Sequence, residues 1–134
     1  MPIPKFDKIV GFAITTKPEE AKAFYAGKLG FTFVRDDGFA LIFDAHGTQL
    51  RIAKMNEHAA PPYTILGWEV SDIENAVGEL SANGIRFEHY DFMHPDERGI
   101  VTFPGGDKVA WFKDPDGNVL SLSQHAFAGA SAGS

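Results

Sequence analysis

Few side chains in this 134-residue chain can do chemistry, and they are scattered. There are five histidines, His46, His58, His89, His94 and His125, and no cysteine. No two of the histidines stand four apart, the spacing that puts two imidazoles on one helix face for a metal. The absence of cysteine excludes thiolate metal sites, disulfides and a thiol nucleophile, and it fits a reducing compartment. His94 has the best claim to a role, because the irregular stretch 90–107 around it could fold over a binding site. The plain alternative is a solvated loop imidazole. Glu69 is the carboxylate best placed to work with it, since a carboxyl in a partly apolar setting can be held protonated and act as an acid or base. No Ser–His–Asp arrangement follows from the spacing. Pro104-Gly105-Gly106 has no following lysine and helix, so it is not a phosphate loop.

Those residues must be held by a folded core. Apolar content of 44% with 22% charge suffices to build one and sets the chain apart from disordered sequences. The net charge of −6 argues against a nucleic-acid or anionic-membrane partner. The first residues, MPIPKFDKIVGF, lack the apolar run of a signal peptide, and no stretch is long enough to span a bilayer. A cytoplasmic location is therefore expected. The Ala-, Gly- and Ser-rich end is expected to be a flexible tail over 127–134.

The clearest local structure is 111–124, WFKDPDGNVLSLSQ. Apolar residues flank Asp114-Pro115-Asp116-Gly117-Asn118, a strong turn sequence, so a β-hairpin is expected. Upstream, 8–15 reads as a strand. Thr16 with Glu19 reads as a capping box opening a helix whose stripe is Ala21, Phe24, Tyr25 and Leu29, and Gly30 ends it. Residues 31–34, 39–43 and 49–54 read as strands. Pro61-Pro62 marks a linker over 56–63. Beyond it come a strand at 64–70, a helix capped by Asp72 and stopped at Asn83-Gly84, a strand at 85–89, the long loop 90–107 and the closing hairpin.

The two halves repeat. Residues 40–53 align with 110–123, matching Ala40 to Ala110, Asp44 to Asp114, Gly47 to Gly117 and Leu50 to Leu120. Ile9-Val10-Gly11-Phe12 aligns with Ile65-Leu66-Gly67-Trp68. The fold expected is α+β: two tandem β-α-β-β-β modules, 1–55 and 64–126, forming a curved eight-stranded cup. A cup between modules is a natural ligand site.

The segments 18–31 (PEEAKAFYAGKLGF), 70–87 (VSDIENAVGELSANGIRF) and 111–122 (WFKDPDGNVLSL) make the chain, from about 9 to 124, resemble the vicinal oxygen chelate superfamily. That is the group of glyoxalase I, extradiol dioxygenases and bleomycin-resistance proteins. The resemblance implies a glyoxalase-like fold and often a homodimer, but no particular activity. Its metal-using members hold an ion through the first and last strands of each half. The matching positions here are Ile9, Arg51, Ile65 and Ser121. Isoleucine cannot ligate a metal, arginine would repel one, and a serine hydroxyl alone is a poor ligand. Neither a metal nor any other cofactor is therefore expected.

If those four positions face the cup, alternation brings Gly11, Ala13, Gln49, Ala53, Gly67, Glu69, Val119 and Ser123 with them, and sends Val10, Phe12, Ile14, Leu50, Ile52, Leu66 and Trp68 toward the helices. Gly11 and Gly67 would make room. Arg51 would hold a carboxylate or phosphate, or else pair with Glu69 or reach water. Trp111 would stack on a flat ligand or serve as core. Ser121 would add a hydroxyl. The function expected is metal-independent binding of a small organic molecule, anionic or aromatic, of the bleomycin-resistance kind. The competing readings are a lyase, isomerase or dioxygenase of the same superfamily, and a purely structural role.

Overall fold

A computed structural model describes residues 1–126, so the tail expected at 127–134 lies outside the described residues. The chain divides into two compact units between Ala59 and Ala60.

The first unit contains β1 (Val10–Thr15), α1 (Pro18–Lys22) continuing into a π-helical stretch (Ala23–Lys28), β2 (Thr32–Asp36), β3 (Ala40–Ala45) and β4 (Thr48–Lys54). The sheet order is β1-β4-β3-β2, with β1 parallel to β4 and the other pairs antiparallel. A two-residue turn closes β3 on β4: His46 and Gly47 have φ of 56° and 97°, and the Gly47 amide donates to Asp44 Oδ1 at 2.8 Å. Both central residues are left-handed, as the twist of a tight hairpin demands. Tyr25 and Phe24 press the helix onto the sheet, with the Tyr25 ring 5.7 Å from Phe43 and Phe33 5.5 Å from Phe43. Leu41, Leu50 and Ile52 complete this layer, each within 3 % of full burial.

Two expectations fail here. The capping box does not form: Lys17 is the N-cap and carries no side-chain cap. Pro18 requires an extended residue before it, which leaves Thr16 upstream of the cap. The hydroxyl of buried Thr15 shapes the entry instead, accepting from the Lys17 amide at 2.9 Å. The second failure is the facing of β1. Ala13 and Thr15 are buried, whereas Phe12 is 61 % exposed.

The second unit contains β5 (Thr64–Glu69), α2 (Ile73–Ala82), a 3₁₀ turn (Asp91–Met93), β6 (Val101–Thr102), β7 (Lys108–Lys113) and β8 (Val119–Gln124), in sheet order β5-β8-β7-β6. Asp72 caps α2 by accepting from the Asn75 amide, and Gln124 at the end of β8 accepts from the Ile73 amide at 2.7 Å. One helix end is thus tied to the sheet. The β7–β8 hairpin is held by buried Asp114, which accepts from the amides of Asp116 and Asn118, both at 3.0 Å, and from the Asn118 side chain at 2.8 Å. Gly117 supplies the positive φ, 84°. Phe87, Phe112, Ile73, Val77 and Leu120 form the core under α2. Fully burying each large apolar side chain stabilises by roughly 1.5–3 kcal/mol.

The strand expected at 85–89 reduces to a single bridge, Phe87 to Phe112, with one further bond from the Glu88 amide to the Trp111 carbonyl at 2.8 Å. A two-residue strand, β6, emerges inside the stretch expected to be loop, and pairs Val101 with Val109. The edge beside β7 is therefore shared by two segments. Between them the chain leaves the sheet in an excursion at 88–100, where the first unit has one strand, β2, with only a register shift between Phe33 and Arg35. No helix among the described residues is long and apolar enough to cross a membrane.

Candidate functional site

Each sheet has a helix-covered face and a more open one, on which Ala40, Ile42 and Val119 are nonetheless buried. On the open face of the first sheet, Phe12 is the partner of Arg51, and Arg51 of Ile42. Arg51 does not stand free. Its guanidinium donates to Asp37 at 2.7 Å, and Asp37 also accepts from the amides of Phe39 and Ala40. These bonds, led by the Arg51 guanidinium, hold the Asp37 carboxyl down at about 2. Of the alternatives open from sequence, the pairing with Glu69 does not form; Arg51 on β4 pairs instead with Asp37 in the turn preceding β3.

Gly11 is the partner of Leu50 and lies on the helix-covered face with Ala13, so it is not beside Arg51. The cause is a bulge. In β5 one extra residue, Ile65, separates Thr64 paired to Val119 from Leu66 paired to Leu120; β1 has no such insertion. Matching Gly11-Phe12 to Gly67-Trp68 therefore slips by one residue, which reverses every side chain on a strand. Phe12, not Gly11, occupies the place of Gly67. Val10 rather than Ile9 then falls on the open face, while Ile9 precedes β1 and is exposed.

The second sheet gathers the remaining candidates. Gly67 pairs with Ser121, Ser121 with Trp111, and Glu69 with Ser123, placing all five on the open face. A Cβ on Gly67 would lie 2.5 Å from Ser121 Oγ, so this glycine makes room for the serine hydroxyl. Trp111 is half-buried and its indole N–H donates to Thr64 Oγ1 at 3.1 Å. Since Thr64 pairs with Val119, the indole reaches across β8 to β5. Tyr90 meets Trp111 edge to face at 5.5 Å, and Phe92 lies 6.2 Å from Tyr90. Burial first, and the Glu88 carboxylate second, raise the Tyr90 hydroxyl above its usual value. Lys113 pairs with Glu88 at 3.9 Å, while no ion pair engages Glu69 among the described residues.

Tyr90 is the site residue that sequence reasoning missed. Its signal was an alternating aromatic pair, Tyr90 and Phe92, inside a proline- and glycine-rich stretch. His94 ends the 3₁₀ turn with a left-handed φ of 52° and is exposed, and no hydrogen bond or ion pair joins it to Glu69 among the described residues. A shallow depression along α2, bordered by Asp72, Glu79 and Arg98, holds none of these candidates.

The residues present do not fit a metal of the kind the resemblance implies. The open faces offer Val10, Phe12, Gln49, Asp44 and an ion-paired arginine in one unit, and glycine, serines and Glu69 in the other. No three His, Cys, Asp or Glu side chains among the described residues are grouped to hold a cation. Zn, Fe and Mn sites need imidazole, thiolate or several carboxylates.

Comparison with solved structures finds the same fold repeatedly. A glyoxalase/bleomycin resistance protein/dioxygenase from Alicyclobacillus acidocaldarius is similar at a TM-score of 0.70 and 21% identity, covering 90% of this chain and 92% of that one. A lactoylglutathione lyase from Agrobacterium tumefaciens is similar at 0.69 and 17%, covering 94% and 98%. A glyoxalase family protein from Enterococcus faecalis is similar at 0.65 and 24%, covering 89% and 96%. At these identities the likeness shows the fold alone. Comparison with curated protein sequences finds no match. The sequence model of the Glyoxalase/Bleomycin resistance protein/Dioxygenase superfamily matches residues 5–122, which is most of the chain. With two four-stranded mixed sheets in a glyoxalase-like α+β fold, the chain belongs to that superfamily.

Proposed function

We propose that this chain is a metal-independent binding protein for a small organic molecule, held on the open face of the second sheet. The observation that carries the reading is the gathering of Trp111, Ser121, Gly67 and Glu69 on one partly exposed face. An indole face supplies contact area, and a few hydroxyl and carboxylate oxygens supply orientation, which is the usual division of labour in a small-molecule site. The residue types at the matching positions support a route without the superfamily's metal chemistry. An acid–base pair of Glu69 with His94 lacks a contact between them. Recognition of an anion by Arg51 is weakened, because Asp37 already neutralises that guanidinium. The ligand favoured is thus aromatic.

A thermal-shift screen of small acids, amines and aromatic compounds, run with a chelator present, tests this. Aromatic hits that survive chelation and vanish in Trp111→Leu support the reading. Hits that need an added divalent metal, or that ignore Trp111→Leu, defeat it.

A further inference from the structure

We infer that Tyr90 and Trp111 form a fixed aromatic corner that selects a planar ring bearing a cationic amine, with Glu69 as the charge partner. This rests on the binding reading above and narrows it.

The corner is built by the excursion at 88–100. Its neck is closed at several points. The Glu88 amide bonds to the Trp111 carbonyl at 2.8 Å, and the two ring nitrogens of His89 lie 3.2 and 3.1 Å from the carbonyl oxygens of Phe87 and Glu97. Asp96 accepts from the amides of Arg98 and Ile100, and the Arg98 guanidinium donates to the Glu74 carbonyl on α2 at 3.2 Å. Gly99 is buried with a φ of 91°, and a Cβ there would stand 2.9 Å from the Glu88 carbonyl. A segment closed at its neck by this many bonds behaves as a wall and not as a swinging lid. Tyr90 leaves that wall edge-on to Trp111. A ring laid against one aromatic face and capped by the edge of another gains from both contacts.

Charge then decides the class of ring. Lys113 is matched by Glu88, and Lys108 on the helix side by Glu74. Among the described residues Glu69 has no such match, and it lies two residues along β5 from Gly67, about 6.6 Å at strand spacing. An unmatched carboxylate on the same sheet face as Trp111 favours a cation and repels a carboxylate.

The test uses one ring in three charge states: 1-naphthylmethylamine, 1-naphthalenemethanol and 1-naphthylacetate, titrated into the full chain by calorimetry. The amine should bind about fivefold or more tighter than the alcohol, with the acetate weakest. Glu69→Gln should erase the preference for the amine. Tyr90→Ala should weaken amine and alcohol about tenfold, and Tyr90→Phe, which keeps the ring, should not. Equal or tighter binding of the acetate overturns the charge assignment, and unaltered affinity in Tyr90→Ala overturns the corner. If Trp111→Leu abolishes binding while Tyr90→Ala does not, the inference falls and the binding function stands. If Trp111→Leu also binds normally, both fall.

Discussion

Gly67 and Ser121 offer a quantitative check on the geometry of the proposed site. A methyl group at position 67 would stand 2.5 Å from Ser121 Oγ, closer than real Cβ contacts allow, while the next atom, the Ser121 carbonyl oxygen, would be 3.6 Å away. The hydroxyl is the end of a rotatable side chain, so Gly67→Ala should force it into a poorer rotamer at about 0.5–1.5 kcal/mol. Against this, alanine in a strand is favoured over glycine by roughly 0.5–1 kcal/mol. The single variant should therefore be nearly neutral or mildly destabilised. Ser121→Ala removes the clashing atom, so Gly67→Ala in that background should stabilise by the full propensity gain. A double-mutant cycle should then give a coupling of about 1 kcal/mol. In a thermal melt, Gly67→Ala should raise the midpoint by about 3–6 °C more in the Ser121→Ala background than in the wild type. Additivity within about 0.3 kcal/mol would refute the pairing of these residues on one open face.

Other outcomes follow from the same structure. Asp37 is held at about 2 against an ordinary 3.8, so its ionised form is favoured by folding. That contribution is full above about pH 4 and is lost as pH falls toward 2; acid titration of Asp37→Asn should lack this component, and an unchanged acid profile would contradict it. Asp114→Ala removes the acceptor for three hydrogen bonds in the β7–β8 turn and should cost about 2–3 kcal/mol in denaturant unfolding. Phe112→Ala empties a fully buried ring position and should cost about 3–5 kcal/mol, measured the same way. Arg51→Ala breaks a partly exposed pair, 27 % and 25 % accessible, and should shift stability by no more than about 1 kcal/mol.

Local chemistry made much of this fold legible. Asp-Pro-Asp-Gly-Asn has one common use, and the hairpin it announces is present with Asp114 at its centre. The helix from Asp72 to Asn83-Gly84 was equally readable, since cap and stop flank an apolar stripe. The repeat matched β4 to β8, but its matching of β3 to β7 slips by one residue, because five residues separate the paired Lys113 and Val119 where two separate Ala45 and Thr48. What it could not show was the bulge at Ile65, because a single inserted residue leaves no mark in an alignment that still matches glycine to glycine. That one residue misplaced Gly11 and Phe12. The stretch from Tyr90 was read as loop and 85–89 as a strand, but not that the chain leaves the sheet after Phe87, returns to its edge at β6 and presents Tyr90 to Trp111; such long-range pairing has no local signal. The partner of Arg51 was hidden for the same reason, Asp37 being legible only as a turn residue.

The central claim is that the open face of the second sheet takes a small aromatic molecule without a metal. With Trp68 replaced by Phe, Trp111 is the remaining tryptophan, and its fluorescence reports on that face directly. Titration of 1-naphthylmethylamine into this variant, stripped and kept in chelator, should change the Trp111 emission saturably. A flat titration in chelator that becomes saturable only when a stoichiometric divalent metal is restored would contradict the account.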